Sequence, residues 1–454
     1  MTAADVYDAI VIGAGPNGLV CAAYLARAGK RVLLLERRFE TGGGLNTDEY
    51  FGYRLNLHAI YHMMGELMPA HRDLGLEALG VRYLHPPVAA AFPFRDGSSL
   101  LLSRDPAETA NSIAGFSPAD AAAYTKMWDE FTPILEQYLI PMTYRLPEPA
   151  LDQMVEFGDT PAGRRLAAIS ELTFVEMLDE YGFEDPRVRM ALLSLPAMWG
   201  LHLEDPLGYL YPLYLCRMRA VVSTLDPEQT FLRLLDEKSL PGDLGPAVRG
   251  WEWEERTMFG LHLGLRGGVG WKGRDPRIAD SMIVFCGLET EDELHEHLRR
   301  LDAGEERDCA WLHVTIPTRF DATMAPAGQH LLRAEAVVRY DAPWKEQGAA
   351  FGDSCIRLLQ EYADLGEIVF RRETTPLDIE AKLTTMKRGS IKHGAYTPLQ
   401  MGYLRPNDLC SRNETPIRGL FVGGASTYPG GMILGAPGFL AAGVVGEFLA
   451  ATPD

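Results

Sequence analysis

Residues 10–18, IVIGAGPNG, carry a G-x-G-x-x-G turn at Gly13, Gly15 and Gly18. An apolar run from Ala9 to Ile12 leads into the turn. A helix-like stretch from Leu19 to Ala28 leads out of it and is closed by Gly29. A second apolar run, Val32 to Leu35, stops on the acid Glu36. Strand, glycine turn, helix, strand and acid in that order form a dinucleotide-binding fingerprint, which a bare glycine triplet would not. Gly13 permits the tight turn, and Gly15 lets a pyrophosphate approach backbone N–H groups at the positive end of the helix. Gly18 lets helix and sheet pack closely. Glu36 is placed to accept the two hydroxyls of an adenosine ribose. Pro16, Asn17 and Arg37 adjoin these positions and join the cofactor-binding set.

The chain of 454 residues is long enough for about two or three domains around a large core. Its 47% hydrophobic and 23% charged residues are those of a folded globular protein. A net charge of −19 argues against nucleic acid and against broad docking on anionic membranes. Six scattered cysteines without a C-x-x-C pair suggest neither a metal site nor a disulfide framework, and they fit a reducing cytoplasm. The N-terminus shows no basic segment before its apolar run, so no secretory leader is expected. Met432 to Ala451 is apolar, but Pro437, Glu447 and several glycines make it read as a buried helix rather than a membrane span.

Residues 88–103 read as a hairpin turning at Asp96-Gly97. Ser117, Pro118 and Asp120 open a helix, and further helices are expected over 163–182, 186–197 and 353–363. Strands are expected over 219–224, 259–265, 281–286 and 311–316, and again from Leu420 before a glycine turn and a helix from about Gly435. These elements imply an α/β fold: a Rossmann-like, doubly wound, three-layer domain with an inserted α+β substrate domain. The cofactor domain takes residues 1–85, 219–250 and 385–454, and the substrate domain with its helical lid takes 86–218 and 251–384. Residues 268–273, GVGWKG, repeat the glycine spacing but run into Arg274-Asp275-Pro276 rather than a helix, so they are not a second nucleotide site. His295 and His297, two apart on a charged helix, read as a solvated surface.

Two more glycine-rich stretches bear on the cofactor. In 41–47, TGGGLNT, residues Gly43, Gly44 and Leu45 suit a loop around a pyrophosphate or flavin. In 419–449, glycines at 423, 424, 430, 431 and 435 remove side chains where a large planar ligand would lie against backbone. Gly424, Ala425, Ser426, Gly431, Met432 and Ile433 are the expected contacts. The helix that follows presents free N–H groups that would face the pyrimidine edge of a flavin.

On these motifs the chain resembles the phytoene (carotenoid) desaturase-like branch of the flavin-dependent oxidoreductases. The resemblance rests on IVIGAGPNGL with LLLERR, GGGLNTDEYFGY at 42–53 and VVSTLDPEQTFLRLL at 221–235. It rests equally on PTRFDATMAPAGQHLL at 317–332, KHGAYTPLQMGYLRP at 392–406 and GGASTYPGGMILGAPGFLAA at 423–442. It implies FAD and the oxidation or isomerisation of carbon–carbon bonds in hydrophobic molecules. One departure stands out. Relatives of this kind place a glycine-rich segment and a strand unit before the VVST strand, whereas here Tyr214-Leu215-Cys216 runs almost directly to Arg219, with some tens of residues absent.

Substrate-side groups are expected at His58, Tyr61 and Arg405, and catalytic ones at Tyr428, His393 and Tyr396, which could polarise a carbonyl or take a proton beside it. Met63, Met64, Phe131, Trp199, Tyr209, Tyr211 and Tyr214 are expected along an apolar channel. No metal is expected. The leading reading is a desaturase or dehydrogenase that passes hydride from a hydrophobic or alicyclic substrate to flavin N5. A reduced-flavin isomerase, an amine oxidase and a non-catalytic flavin-binding protein are alternatives. The electron acceptor, dioxygen or a quinone, and the oligomeric state stay open.

Overall fold

The computed structural model describes residues 6–59, 64–217, 240, 243–431 and 435–451. Strands β1 (Ala9–Ile12) and β2 (Val32–Leu35) pair in parallel, with Ala9 opposite Val32 and Ile12 opposite Leu35. The helix Pro16–Arg27 joins them, with Gly15 as N-cap and Pro16 in the first turn, where its missing N–H costs nothing. The other end of the chain supplies the next layer, because the helix Ala436–Ala451 packs along Pro16–Arg27. Cys21, Leu25, Ala441 and Ala442 form their shared core. Tyr24 and Phe439 meet edge to face at 5.1 Å. A Cβ on Gly438 would lie 2.0 Å from the Asn17 carbonyl oxygen, so the two backbones approach as closely as glycine allows. The fold is Rossmann-like. Among the described residues its parallel sheet has two strands, and the expected strand over 219–224 lies outside them.

A hairpin of β3 (Thr47–Tyr50) and β4 (Tyr53–Asn56) follows. A seven-stranded sheet is built from β5 (Val88–Pro93), β6 (Ser99–Ser103), β7 (Arg256–Trp271), β8 (Ser281–Cys286), β9 (Leu312–Thr315), β10 (Gln329–Arg339) and β11 (Ala363–Thr374). Its order is β11-β7-β10-β9-β8-β5-β6, antiparallel throughout except between β5 and β8. Period-two alternation sorts β7. Phe259, Leu261, Leu263 and Leu265 face the helix Trp344–Tyr362, while Gly260, His262 and Gly264 occupy the intervening positions. A Cβ on Gly264 would meet the Tyr53 ring at 2.3 Å, which seats the β3–β4 hairpin on that second face.

A helical layer covers the remaining side through Pro118–Ile134, Pro161–Ile169, Phe174–Tyr181, Pro186–Ala197 and Tyr211–Arg217. The helix expected over 163–182 is two helices. Thr173 forms a capping box with Glu176 and starts the second, and Gly208 N donates to the Leu172 carbonyl in the break. The hairpin over 88–103 and the Ser117 cap stand where expected. The first four residues of GVGWKG end β7 as strand, and Lys272-Gly273 lead out of it, rather than forming a nucleotide loop. The tail segment from Leu420 makes only an isolated bridge, Phe421 to Glu414. His297 overturns the reading of a solvated histidine pair: its helix, Glu291–Asp302, turns it inward, and only 6% of it is exposed. Among the described residues no helix is long and apolar enough to cross a membrane.

Candidate active site

Gly13 has φ +98°, and a Cβ on Gly18 would fall 1.9 Å from the Gly13 oxygen, so both positions demand glycine. Glu36 turns back to this loop. Its Oε2 accepts from Ala14 N at 2.8 Å, and its Oε1 accepts from Arg38 N at 2.9 Å. Each carboxylate oxygen keeps a further acceptor site, which suits a diol. The Gly43–Leu45 turn is tied to the fingerprint through Gly42 N, which donates to Ala14 O at 2.7 Å. Asn17 is buried with its Oδ1 unbonded, and Arg38 Nη1 is likewise buried without a partner. A glycine cradle, an acid with spare lone pairs and orphaned polar atoms together fit the adenosine and pyrophosphate of FAD. Arg37 turns away and donates to Thr384 Oγ1 at 2.9 Å.

The C-terminal turn is held by side chains from residues 390–405. Tyr396 OH accepts from Gly431 N at 2.8 Å. Arg405, fully buried, donates to the carbonyls of Lys392 (2.9 Å), Gln400 (3.2 Å) and Ala425 (3.1 Å). Its guanidinium stacks between Trp251 and Tyr396 at 5.0 and 4.8 Å. Burial pulls its pKa down, against the pull of Tyr396 and Glu254. Arg405 is thus placed among backbone carbonyls rather than at a substrate cavity. Gly424 O accepts from Thr427, while Ala425 and Ser426 are buried. Met432 and Ile433 lie outside the described residues, as does Tyr61. Below the turn, Lys392 donates to Trp199 O at 2.6 Å and pairs with Glu254 at 3.3 Å. Sequence reasoning passed over this buried pair although Lys392 stands beside His393 in a quoted motif.

Against that turn opens a cavity of about 670 Å³. Gly431, Tyr396 and Tyr428 form part of its wall, so the expected cofactor surface and the cavity share residues. The helical layer supplies the rest, including Met142, Phe157, Leu166 and Leu213. Met64, Tyr209 and Tyr214 line it as expected. Phe131 and Tyr211 are core residues instead, meeting edge to face at 6.1 Å. Tyr428 OH donates to Met142 O at 2.6 Å and ties the glycine turn to the helical layer. Burial pushes the phenols of Tyr209, Tyr214, Tyr396 and Tyr428 up, so at neutral pH they are protonated and serve as hydrogen-bond donors or orienting groups, not bases. Among the described lining residues the charged ones are the acids Glu148 and Glu171. Neither signalled itself in the sequence.

His393 is buried and has φ +56°, but it does not line this cavity. His58 lies elsewhere, in a small enclosed space with Trp199, His313, Arg333 and Glu335. Its imidazole is buried and unbonded, and burial together with nearby Lys382 and Arg333 holds its pKa well below 6.5.

Residues 11–74 match the family described as an NAD(P)-binding Rossmann-like domain. The chain is 36% identical to a limonene dehydrogenase subunit of Castellaniella defragrans, over 97% of its own length and 94% of that protein. It belongs to that family of FAD-type oxidoreductases. A second family relative is pyridine nucleotide-disulfide oxidoreductase domain-containing protein 2 of Rattus norvegicus, 25% identical over 97% of this chain and 93% of that one. The alignment with the Castellaniella protein spans 520 positions. Since 97% of 454 residues is about 440, about 80 positions have no residue of this chain. Among solved structures, cyclohexylamine oxidase of Brevibacterium oxydans shares the fold with a TM-score of 0.57 at 14% identity, covering 98% of this chain and 99% of that one. A putrescine oxidase variant does so at 0.55 and 14%, with the same coverage. The family member described here is an FAD-dependent oxidoreductase.

Proposed function

We propose that this oxidoreductase is a dehydrogenase or desaturase that takes hydride from a C–H bond of an uncharged alicyclic substrate held in the 670 Å³ cavity. The observation that carries this reading is the shared wall: Tyr428 and Gly431 of the glycine turn, and Tyr396 that holds it, also line an otherwise largely apolar chamber. The name of the Castellaniella relative, a limonene dehydrogenase component, supports a cyclic hydrocarbon as substrate. The motif resemblance to phytoene desaturases points to the same bond type.

When bound, FAD supplies the two-electron acceptor. The protein's part is binding, orientation and exclusion of water. Gly13, Gly15, Pro16, Asn17 and Gly18 would cradle the pyrophosphate, and Glu36 would take the ribose. Gly43, Gly44 and Leu45, and Gly424 to Gly431, would hold the flavin ring system, with Met432 and Ile433 assigned to the same wall on sequence grounds. Tyr396 fixes the height of Gly431 through its hydroxyl. Tyr428 holds the helical layer against the turn and, as a lining residue of the cavity, would contact the substrate. The cofactor domain would then comprise 1–85, 219–250 and 385–454, and the substrate domain 86–218 and 251–384. The span of the seven-stranded sheet, Val88 to Thr374, supports that division. Dioxygen and a quinone are the acceptor classes to test.

A second reading, oxidation of a cyclic amine, draws on Glu148 and Glu171, which would attract an ammonium group. Steady-state assays with an artificial dye acceptor separate the two. The proposal expects a neutral cyclic alkene to give up a hydride to the flavin and a proton to water, yielding a product two hydrogens lighter. Oxidation of cyclohexylamine alone would overturn it, as would an alkene product of unchanged mass.

A further inference from the structure

A second cavity, of about 320 Å³, lies where the end of the helix Glu291–Asp302, the segment entering β9 and the start of the helix Trp344–Tyr362 meet. It shares no lining residue with the substrate cavity. Its size falls within the range of small-molecule sites, about 300–1,000 Å³. One wall is polar and unsatisfied. His297 and Trp311 are 6% and 2% exposed. Among the described residues, neither ring nitrogen of His297, nor Trp311 Nε1, nor Glu306 Oε1 has a hydrogen-bond partner. His297 Nδ1 and Arg300 Nε stand 3.4 and 3.8 Å from Glu306 Oε1, close enough for charge attraction but too far for a good hydrogen bond. The other walls include the rings of Trp344 and Phe351. Trp344 already donates to Arg339 O at 3.0 Å, so its indole is engaged while that of Trp311 is open.

Buried polar groups are normally hydrogen-bonded, and three residues with unbonded polar atoms around one chamber point to a molecule that bonds them. An indole N–H only donates, a carboxylate only accepts, and an imidazole does either. The complementary molecule therefore carries an acceptor beside an N–H donor. Lying against aromatic rings, it is flat. We take it to bear no net charge, because Asp302 pairs with Arg256 at 2.7 Å, Arg339 with Asp341 at 2.6 Å, and Glu306 with His297 and Arg300 at 3.4 and 3.8 Å; the lining Arg307 is probed by an anionic counterpart. We propose that this chamber is a second binding site, separate from the oxidation site, for a planar uncharged ring compound of the aromatic amide or lactam type.

Benzamide is the probe, titrated calorimetrically into the FAD-loaded enzyme, with benzoate as the anionic counterpart. We expect one saturable benzamide site, weakened about tenfold in Trp311→Phe by loss of one buried hydrogen bond and weakened several-fold in Glu306→Gln by loss of charge assistance. Should Trp311→Phe fail to fold, Glu306→Gln decides. Absence of saturable binding in the millimolar range would overturn the proposal. So would affinity unchanged in the folded variants, or benzoate binding more tightly than benzamide, which would make Arg307 at the rim the centre of an anion site.

Discussion

Gly438 and Tyr396 hold the two glycine-lined surfaces of the proposed cofactor site by different means. A methyl group at Gly438 would collide with the Asn17 carbonyl, a backbone atom that cannot swing aside. Gly438→Ala should therefore push the terminal helices apart, lower stability by about 1–3 kcal/mol and release FAD, read as a fall in bound flavin per chain. Wild-type flavin content and Tm would show that the helices have slack. Tyr396→Phe keeps the ring and deletes only the acceptor for Gly431 N. Stranding that buried N–H costs about 1–3 kcal/mol and lets the turn drift, so kcat should fall about tenfold or more with flavin retained. Unchanged kcat would make the Tyr396 hydroxyl irrelevant to placement. The sequence made the glycines legible because each answers a purely local backbone demand. The surroundings of Arg405 and His58 were not legible, because they come from afar: Trp251, Ala425, Arg333 and Glu335 reach them only through the tertiary fold.

At the scale of elements, the segment 390–405 acts as a strut between the seven-stranded sheet and the terminal glycine turn. Arg405 is its pin, because a planar fork can donate to several carbonyls at once and an ammonium cannot reproduce that geometry. Arg405→Lys should cost about 2–4 kcal/mol of stability, measured by urea unfolding, and should loosen flavin binding alongside. A loss below about 0.5 kcal/mol would show that the strut is held by packing alone. Short elements with strong local signals were readable in advance: the β5–β6 hairpin at Asp96-Gly97, the Ser117 cap and the strand Ser281–Cys286. The run 163–182 was not, since its periodicity continues across a break that the Thr173 cap and Gly208 impose. His297 was misread for a related reason. Charge on the exposed face of its helix conceals that the alternate face, with Leu294, Leu298 and Leu301, is core.

For the whole molecule, the inward face of the sheet carries a buried polar cluster whose titration reaches global stability. Burial, then Arg333, hold His262 down to about 3, and His58 is depressed in the same direction. The unfolded chain therefore binds protons that the folded one refuses. Stability is full above about pH 6.5 and is lost as pH falls from there toward about 3, at about 1.4 kcal/mol per pH unit for each such histidine. Burial alone would raise Glu335, but Arg333 and then His313 hold it to about 2, so its own contribution is lost only below about pH 4.5. Thermal unfolding should show Tm dropping between about pH 7 and 5, with a shallower drop in His262→Gln; a flat profile would contradict the buried neutral histidines. The central claim is larger than this cluster: two distant ends of one chain enclose a single FAD whose open side faces an apolar chamber. It is tested most directly by mixing the flavin-loaded enzyme anaerobically with a neutral cyclic alkene and following the visible flavin absorbance. The account predicts that the oxidised band bleaches in the wild type and does so far more slowly in Tyr396→Phe. A folded, flavin-loaded enzyme whose spectrum stays oxidised with neutral cyclic alkenes, yet bleaches with a cyclic amine, would contradict it.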